Sequence, residues 1–219
     1  MSSISERTRS ICASLPPGVR LVVITKGQAP GNIRQAIGAG AKEIGESKVQ
    51  EAAAKLPALK AAYPQLVFHM VGHLQGNKAK EAVQLFDCIQ GVDSVQLAQK
   101  IADEAEASRK KISILVQFRI SGKEGQYGYS SAAELDNAIL EIRKLEEMHS
   151  PYFRLEGLMG IASRERPAED FSRLRVLAKS LSLPVLSMGM SGDYRIAIEE
   201  GSNMVRIGRA IFEDENESG

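Results

Sequence analysis

Apolar residues along this chain fall into short continuous runs and into stripes spaced three or four apart, and the two kinds alternate from one end to the other. The first run, Leu21-Val22-Val23-Ile24-Thr25-Lys26, is rich in β-branched residues and leads into a turn with Gly27, Pro30 and Gly31. It reads as a strand buried on both faces, with Lys26 emerging where the sheet meets a loop. Ahead of it, Ile4, Thr8, Ile11 and Leu15 mark one face of a helix over 3–15, stopped by Pro16-Pro17-Gly18.

Downstream, the runs predict strands at 43–45, 66–71, 87–91, 112–118, 153–158, 184–188 and 203–207. The stripes between them predict helices at 32–38 with Asn32 as N-cap, at 49–62 with a kink or early break at Pro57, and at a segment ending near 85. Further helices are expected at 94–109, 131–148, 167–182 and 193–200, the third-last burying Leu135, Ile139, Ile142 and Leu145 and the last capped by Asp193. Eight strands in strict alternation with helices imply parallel strands joined by right-handed crossovers. With no composition break between units, the expected fold class is α/β, a single (β/α)8 TIM barrel over 1–219 with an extra N-terminal helix. An open doubly wound sheet competes, but no Gly-x-Gly-x-x-Gly follows the first strand. The acidic stretch 213–219 is expected to fray.

Charge narrows the function. Lys plus Arg number 28 against 27 for Asp plus Glu, so no global field favours nucleic acid or an anionic membrane. Any anion must be held by a local site. No run approaches the roughly 18 apolar residues of a membrane span and the first residues lack the core of a signal peptide, so a cytoplasmic location is expected. Cys12 and Cys88 lie far apart without metal-ligand or redox spacing and are expected to be buried free thiols. No unpaired apolar stripe is visible, which suggests a monomer.

In such a barrel, the carboxyl ends of the strands converge on one face that carries the chemistry. The unusual residues there are Lys26, Glu46 with Ser47, His69 and His73, Gln117 with Arg119, Met159, the 187–193 loop, and Arg206 with Gly208. The loop Ser187-Met188-Gly189-Met190-Ser191-Gly192-Asp193 joins hydroxyls to a flexible backbone and a helix start, and Arg206-Ile207-Gly208 adds a positive charge and a close-approach glycine. Loops after strands seven and eight are the usual phosphate site of this barrel. A lysine at the rim of an apolar wall keeps its amine available for a carbonyl. An amine opposite a phosphate cradle supports two chemistries, a Schiff base with a phosphorylated sugar or pyridoxal 5'-phosphate held on the lysine, and spacing leaves both open. His69 reads as satisfied by its neighbours and His149 as solvated, while Tyr127 and Tyr129 lie near the mouth or cover apolar surface.

Six ordered segments then carry a resemblance: Leu21 to Lys26, Gly45-Glu46-x-x-Val49-Gln50-Glu51, His69-x-Val71-Gly72-x-Leu74-Gln75-x-Asn77-Lys78, Gly157-Leu158-Met159, Leu186-Ser187-Met188-Gly189-Met190-Ser191-x-Asp193 and Val205-Arg206-Ile207-Gly208-x-Ala210-Ile211-Phe212. Together they resemble the YggS/PROSC family of pyridoxal-phosphate homeostasis proteins over nearly the whole chain. The chain departs from that pattern at Ser47-Lys48, where the family often reads Asn-Tyr. The resemblance implies an alanine racemase N-terminal-like barrel with pyridoxal 5'-phosphate as a Schiff base on Lys26. It implies that Ser187, Met188, Ser191, Arg206 and Gly208 hold the phosphate or ring, with Arg206 open between the phosphate and the pyridine nitrogen. The implied role is intracellular homeostasis of this cofactor, stored and released without substantial turnover, and PLP-dependent apo-enzymes are the implied recipients. The alternative is a PLP-dependent amino-acid racemase; barrel racemases draw on a second, β-rich domain, for which eleven residues after Gly208 leave no room.

Overall fold

The structure, a computed structural model, describes residues 2–122 and 125–213. The acidic stretch expected to fray lies, beyond Glu213, outside them. Eight parallel strands close in sequence order: β1 (Arg20–Ile24), β2 (Glu43–Glu46), β3 (Val67–Met70), β4 (Cys88–Val92), β5 (Ile112–Phe118), β6 (Phe153–Gly160), β7 (Val185–Ser187) and β8 (Met204–Ile207). Closure comes from β8 pairing β1, with Leu21 opposite Val205 and Val22 opposite Arg206. The helices are α1 (Ile4–Ser14), α2 (Pro30–Gly38), α3 (Val49–Ala62), α4 (Ala79–Leu85), α5 (Val95–Ala107), α6 (Ala132–Met148), α7 (Pro167–Ser180), α8 (Tyr194–Glu199) and α9 (Arg209–Phe212). This is the (β/α)8 barrel with an added N-terminal helix that the alternation predicted.

Side-chain alternation along each strand divides the apolar residues into two bodies. On β1, Leu21 and Val23 join the large shell between barrel and helices, whereas Val22 joins Cys88, Leu115, Met159 and Met204 in a separate cluster inside the barrel. Helix starts follow their caps. Ser3 and Glu6 form a capping box on α1, and Ser131 and Glu134 form another on α6. The expected face of α6 is buried at Leu135, Ile139, Ile142 and Leu145.

Local expectations are corrected at four places. Helix α2 starts at Pro30 after an Ala29 cap, because proline at the first helical position has no amide to satisfy; Asn32 already lies within the helix. Helix α3 continues through Pro57 to Ala62 instead of breaking there. Cys12 is only partly buried, while Cys88 is buried and its thiol is pushed up to about 12 by desolvation. His149 is not solvated, since its ring packs on α5 with Nδ1 2.9 Å from Glu106 and only 11 % of its side chain exposed.

Candidate functional site

The turn that carries Lys26 is fastened from outside the barrel. Thr25 prolongs the β1 ladder by donating its amide to Gly45 O at 3.0 Å, and its hydroxyl donates outward to Glu46 Oε1 at 2.6 Å. Val22 and Ile24 belong to the inner cluster, so the same alternation brings Lys26 to the inner side of the mouth. Lys55 Nζ lies 2.6 Å from Glu46 and 2.7 Å from Glu51, and donates to Thr25 O at 3.0 Å. The Gly27 amide donates to Glu51 Oε1 at 2.5 Å. Both neighbours of Lys26 are thereby pinned to α3. Glu46 is wholly buried, and burial raises its carboxyl above the usual range although Lys55 and Thr25 pull it back. Lys26 itself is exposed at the rim rather than covered by the apolar residues beside it.

Across the mouth stands the loop between β7 and α8. Gly189 has φ +94°, and a Cβ there would lie 2.6 Å from Ala197 Cβ, so only glycine permits this bend. Asp193 does not cap its own helix by side chain but accepts from the Met190 amide at 2.6 Å. Ser191 Oγ accepts from the Ala210 amide at 3.2 Å, which leaves its own proton available. The Ser191 and Gly192 amides have no hydrogen-bond partner among the described residues. Gly208 lets β8 pass close to the end of β1, since a Cβ there would stand 3.1 Å from Ile24 O.

Arg206 lies at the floor, 5 % exposed. Its Nη1 donates to Ser187 O at 2.7 Å and Ser187 Oγ at 2.6 Å, and its Nη2 to Gly160 O at 2.9 Å. Its Nε has no partner among the described residues and is not sealed from solvent, so this N–H is left for a ligand. Burial pulls the guanidinium down to about 10, against the opposing charge of Asp193, so it remains a cation near neutral pH.

Lys26, Ser191, Arg206 and Gly208 line one cavity of about 290 Å³. Two of the expected site residues do not. Ser187 is buried beneath the floor, where its hydroxyl supports Arg206, and Met188 is buried in the shell facing the helices. The cavity also takes Met190, from the loop that the sequence singled out, and Ile24, Gln28, Arg209, Phe212 and Glu213, none of which it offered as site residues. Larger clefts of about 630 and 1010 Å³ share Ser191 or Met190 with it but do not include Lys26, so size does not mark the chemistry here. On the far side of the mouth His73 stacks on Tyr127 with ring centroids 3.6 Å apart, and its Nδ1 lies 3.0 Å from Asp93. The Tyr129 hydroxyl is buried without an aligned hydrogen bond among the described residues, and burial pushes it up to about 12. His69 is fully buried, with Nδ1 3.0 Å from Gln90 and Nε2 2.9 Å from Glu43; no aligned hydrogen bond forms at Nε2 among the described residues, so the satisfied role expected of it holds at one ring nitrogen only. Among the described residues no cluster of metal-ligating side chains occurs and no helix is long and apolar enough to cross a membrane.

The cavity can receive a small carbonyl compound with an anionic arm. An amine stands on one wall, the Ser191 amide and hydroxyl on the other, and a fixed cation on the floor. Comparison with known proteins agrees with this chemistry. The family described as alanine racemase, N-terminal domain, matches residues 1–216. A protein of Synechocystis sp. named pyridoxal phosphate homeostasis protein is 38% identical over 215 residues, covering 93% of this chain and 95% of that one. Two solved structures of PipY from Synechococcus elongatus share the fold. The one without PLP has a TM-score of 0.88 at 32% identity, and the one with PLP bound has 0.84 at 33%, each covering 96% of this chain and 100% of the other.

Proposed function

The chain belongs to the alanine racemase N-terminal domain family and, within it, to the pyridoxal phosphate homeostasis proteins, and from that premise we propose that it binds pyridoxal 5'-phosphate (PLP) at Lys26 and serves its homeostasis. The observation that carries this reading is the shared cavity of Lys26, Ser191, Arg206 and Gly208. PLP supplies an aldehyde that condenses reversibly with a primary amine, water leaving.

The residues divide the work by position. Ser191, with its free hydroxyl proton and open amide, suits the phosphate, and the open Gly192 amide follows it in the same loop at the edge of the neighbouring clefts. Arg206 would meet the ring through Nε, and as a cation it would leave a pyridine nitrogen beside it unprotonated. A ring in that state is a weak electron sink, which favours holding and release over turnover. Ser187 and Met188 act from behind, the first by fixing Arg206 and the second by packing the loop. The reading extends to a cytoplasmic monomer that passes PLP to PLP-dependent apo-enzymes.

The test is an absorption spectrum of the protein incubated with PLP, before and after borohydride. A visible band that borohydride bleaches, with the added mass on the peptide containing Lys26, is the expected result. A colourless protein, or a label on another lysine, would overturn the proposal.

A further inference from the structure

The interior of the barrel contains a line of polar side chains, of which the binding reading uses only Arg206 and Ser187. It starts at Arg206 on β8, whose Nη1 donates to Ser187 Oγ on β7 at 2.6 Å. Ser187 Oγ donates to Gln90 Oε1 on β4 at 2.6 Å, and Gln90 Nε2 is 3.0 Å from His69 Nδ1 on β3. His69 Nε2 lies 2.9 Å from Glu43 Oε2 at the start of β2, and Arg20 reaches both Glu43 oxygens, at 2.8 and 3.0 Å. Ser187, Gln90 and His69 are wholly buried, whereas the Arg20 side chain is 37% exposed. The line thus joins the amino-terminal rim of the barrel to the floor of the cavity at its other end.

The hydrogen bonds give the line one sense. Gln90 turns its amide N–H to His69 Nδ1, and because a carboxylate only accepts, an imidazole proton on Nε2 suits Glu43. That leaves Nδ1 as the acceptor and the Gln90 carbonyl turned toward Ser187. The Ser187 proton then goes to Gln90, and its lone pair receives Arg206. All donors point from Arg206 toward Glu43, and bonds aligned in one sense polarise one another. The last link is an electrostatic contact, since the His69 N–H is not aimed along a hydrogen-bond line. Burial would raise the Glu43 carboxyl, but His69 and Arg20 together hold it below the usual range, so the line ends on an anion. Apolar side chains could fill this volume without three buried polar groups that each need a partner. The remaining Arg206 partners are the carbonyls of Ser187 and Gly160, and among the described residues no carboxylate pairs with its guanidinium.

We propose that Ser187, Gln90, His69 and Glu43 are positioning residues that lock the Arg206 guanidinium in one orientation toward the cavity and so set the spectrum and the retention of bound cofactor. This rests on the reading that the cavity takes PLP. One arm of the test is independent of the cofactor. Nitrogen NMR on PLP-free protein should show His69 neutral with Nε2 protonated, and Gln90→Met, which breaks the line without entering the cavity, should mix the two tautomers. In PLP-loaded protein, the same variant should move the visible band and release PLP about tenfold faster, the cost of one buried hydrogen bond. A His69 protonated on Nδ1 in the parent protein, or a folded Gln90→Met with unchanged band and release, would overturn the proposal. If Gln90→Met does not fold, Glu43→Gln at the partly open rim is read in the same way, and an unchanged band and release there count equally against it. A parent protein that takes up no PLP would remove the binding reading alone, and the tautomer would still decide whether the line exists.

Discussion

Glu51 on α3 accepts a hydrogen bond from the Gly27 amide at 2.5 Å, so the residue after Lys26 is held by a helix outside the barrel. The carboxyl is kept below its usual range by Lys55 and by this amide, and at neutral pH it is an anion. Removing it in Glu51→Ala frees an amide at a turn with φ +74° and takes one partner from Lys55. We expect a loss of about 1–2 kcal/mol in the unfolding free energy of PLP-free protein and weaker PLP uptake by titration. Uptake identical to the parent would show that the clamp does not position Lys26.

Lys55→Met tests the same clamp from its buried side. Glu46 would stay inside with Thr25 as its remaining partner, and breaking a buried pair in this way costs about 3–5 kcal/mol. The loss depends on pH with a definite sign. Burial already raises the folded carboxyl above its unfolded value, so this group binds a proton on folding, and removing Lys55 raises it further. Stability of the variant should therefore fall as pH climbs from the unfolded value through the raised folded one, and return on acidification. Melting curves of variant and parent across that window check it; a deficit independent of pH would contradict the assignment of Glu46 as the uncompensated group.

Much of this was legible in the chain because strand and helix signals differ in period. The run at 112–118 coincides with β5, and the Ser131-to-Glu134 spacing marks the box that starts α6. Lys26, Ser191, Arg206 and Gly208 were also legible, since each sits at a strand end or in its loop. Ser187 and Met188 were misplaced for a physical reason. A strand buried on both faces shows no alternation in its sequence, so inward Ser187 and outward Met188 look alike. The same masking hid Gln90 and Glu43. Helix α9, four residues long, is shorter than any periodic signal can resolve.

Lys26→Ala separates the covalent from the non-covalent part of binding. The side chain is exposed, so its removal should change unfolding free energy by no more than about 0.5 kcal/mol. The variant should lose every borohydride-stable adduct while the loop proposed to hold the phosphate, with Ser191 bonded to the Ala210 amide, stays in place. Intact mass after reduction reads the first effect and a melting curve the second. A persisting adduct would move the attachment to another amine.

Gly189 and Gly192 give a matched pair within one loop. At Gly189, φ is +94° and an added Cβ would fall 2.6 Å from Ala197 Cβ and 2.9 Å from Tyr194 Cα, so Gly189→Ala must displace the start of α8. Its carbonyl also accepts the Arg206 amide at 2.9 Å, which couples that displacement to the cavity floor. At Gly192 nothing lies within 4 Å and φ is not in the left-handed region, so Gly192→Ala has room. Strain and overpacking together should cost Gly189→Ala about 2–5 kcal/mol and most of its PLP binding. Gly192→Ala should melt like the parent and keep its amide free for the phosphate. Denaturant melts of both, with PLP titrations beside them, distinguish a loop held by shape from one held only by sequence habit; equal behaviour of the two variants would refute the geometric account of this wall.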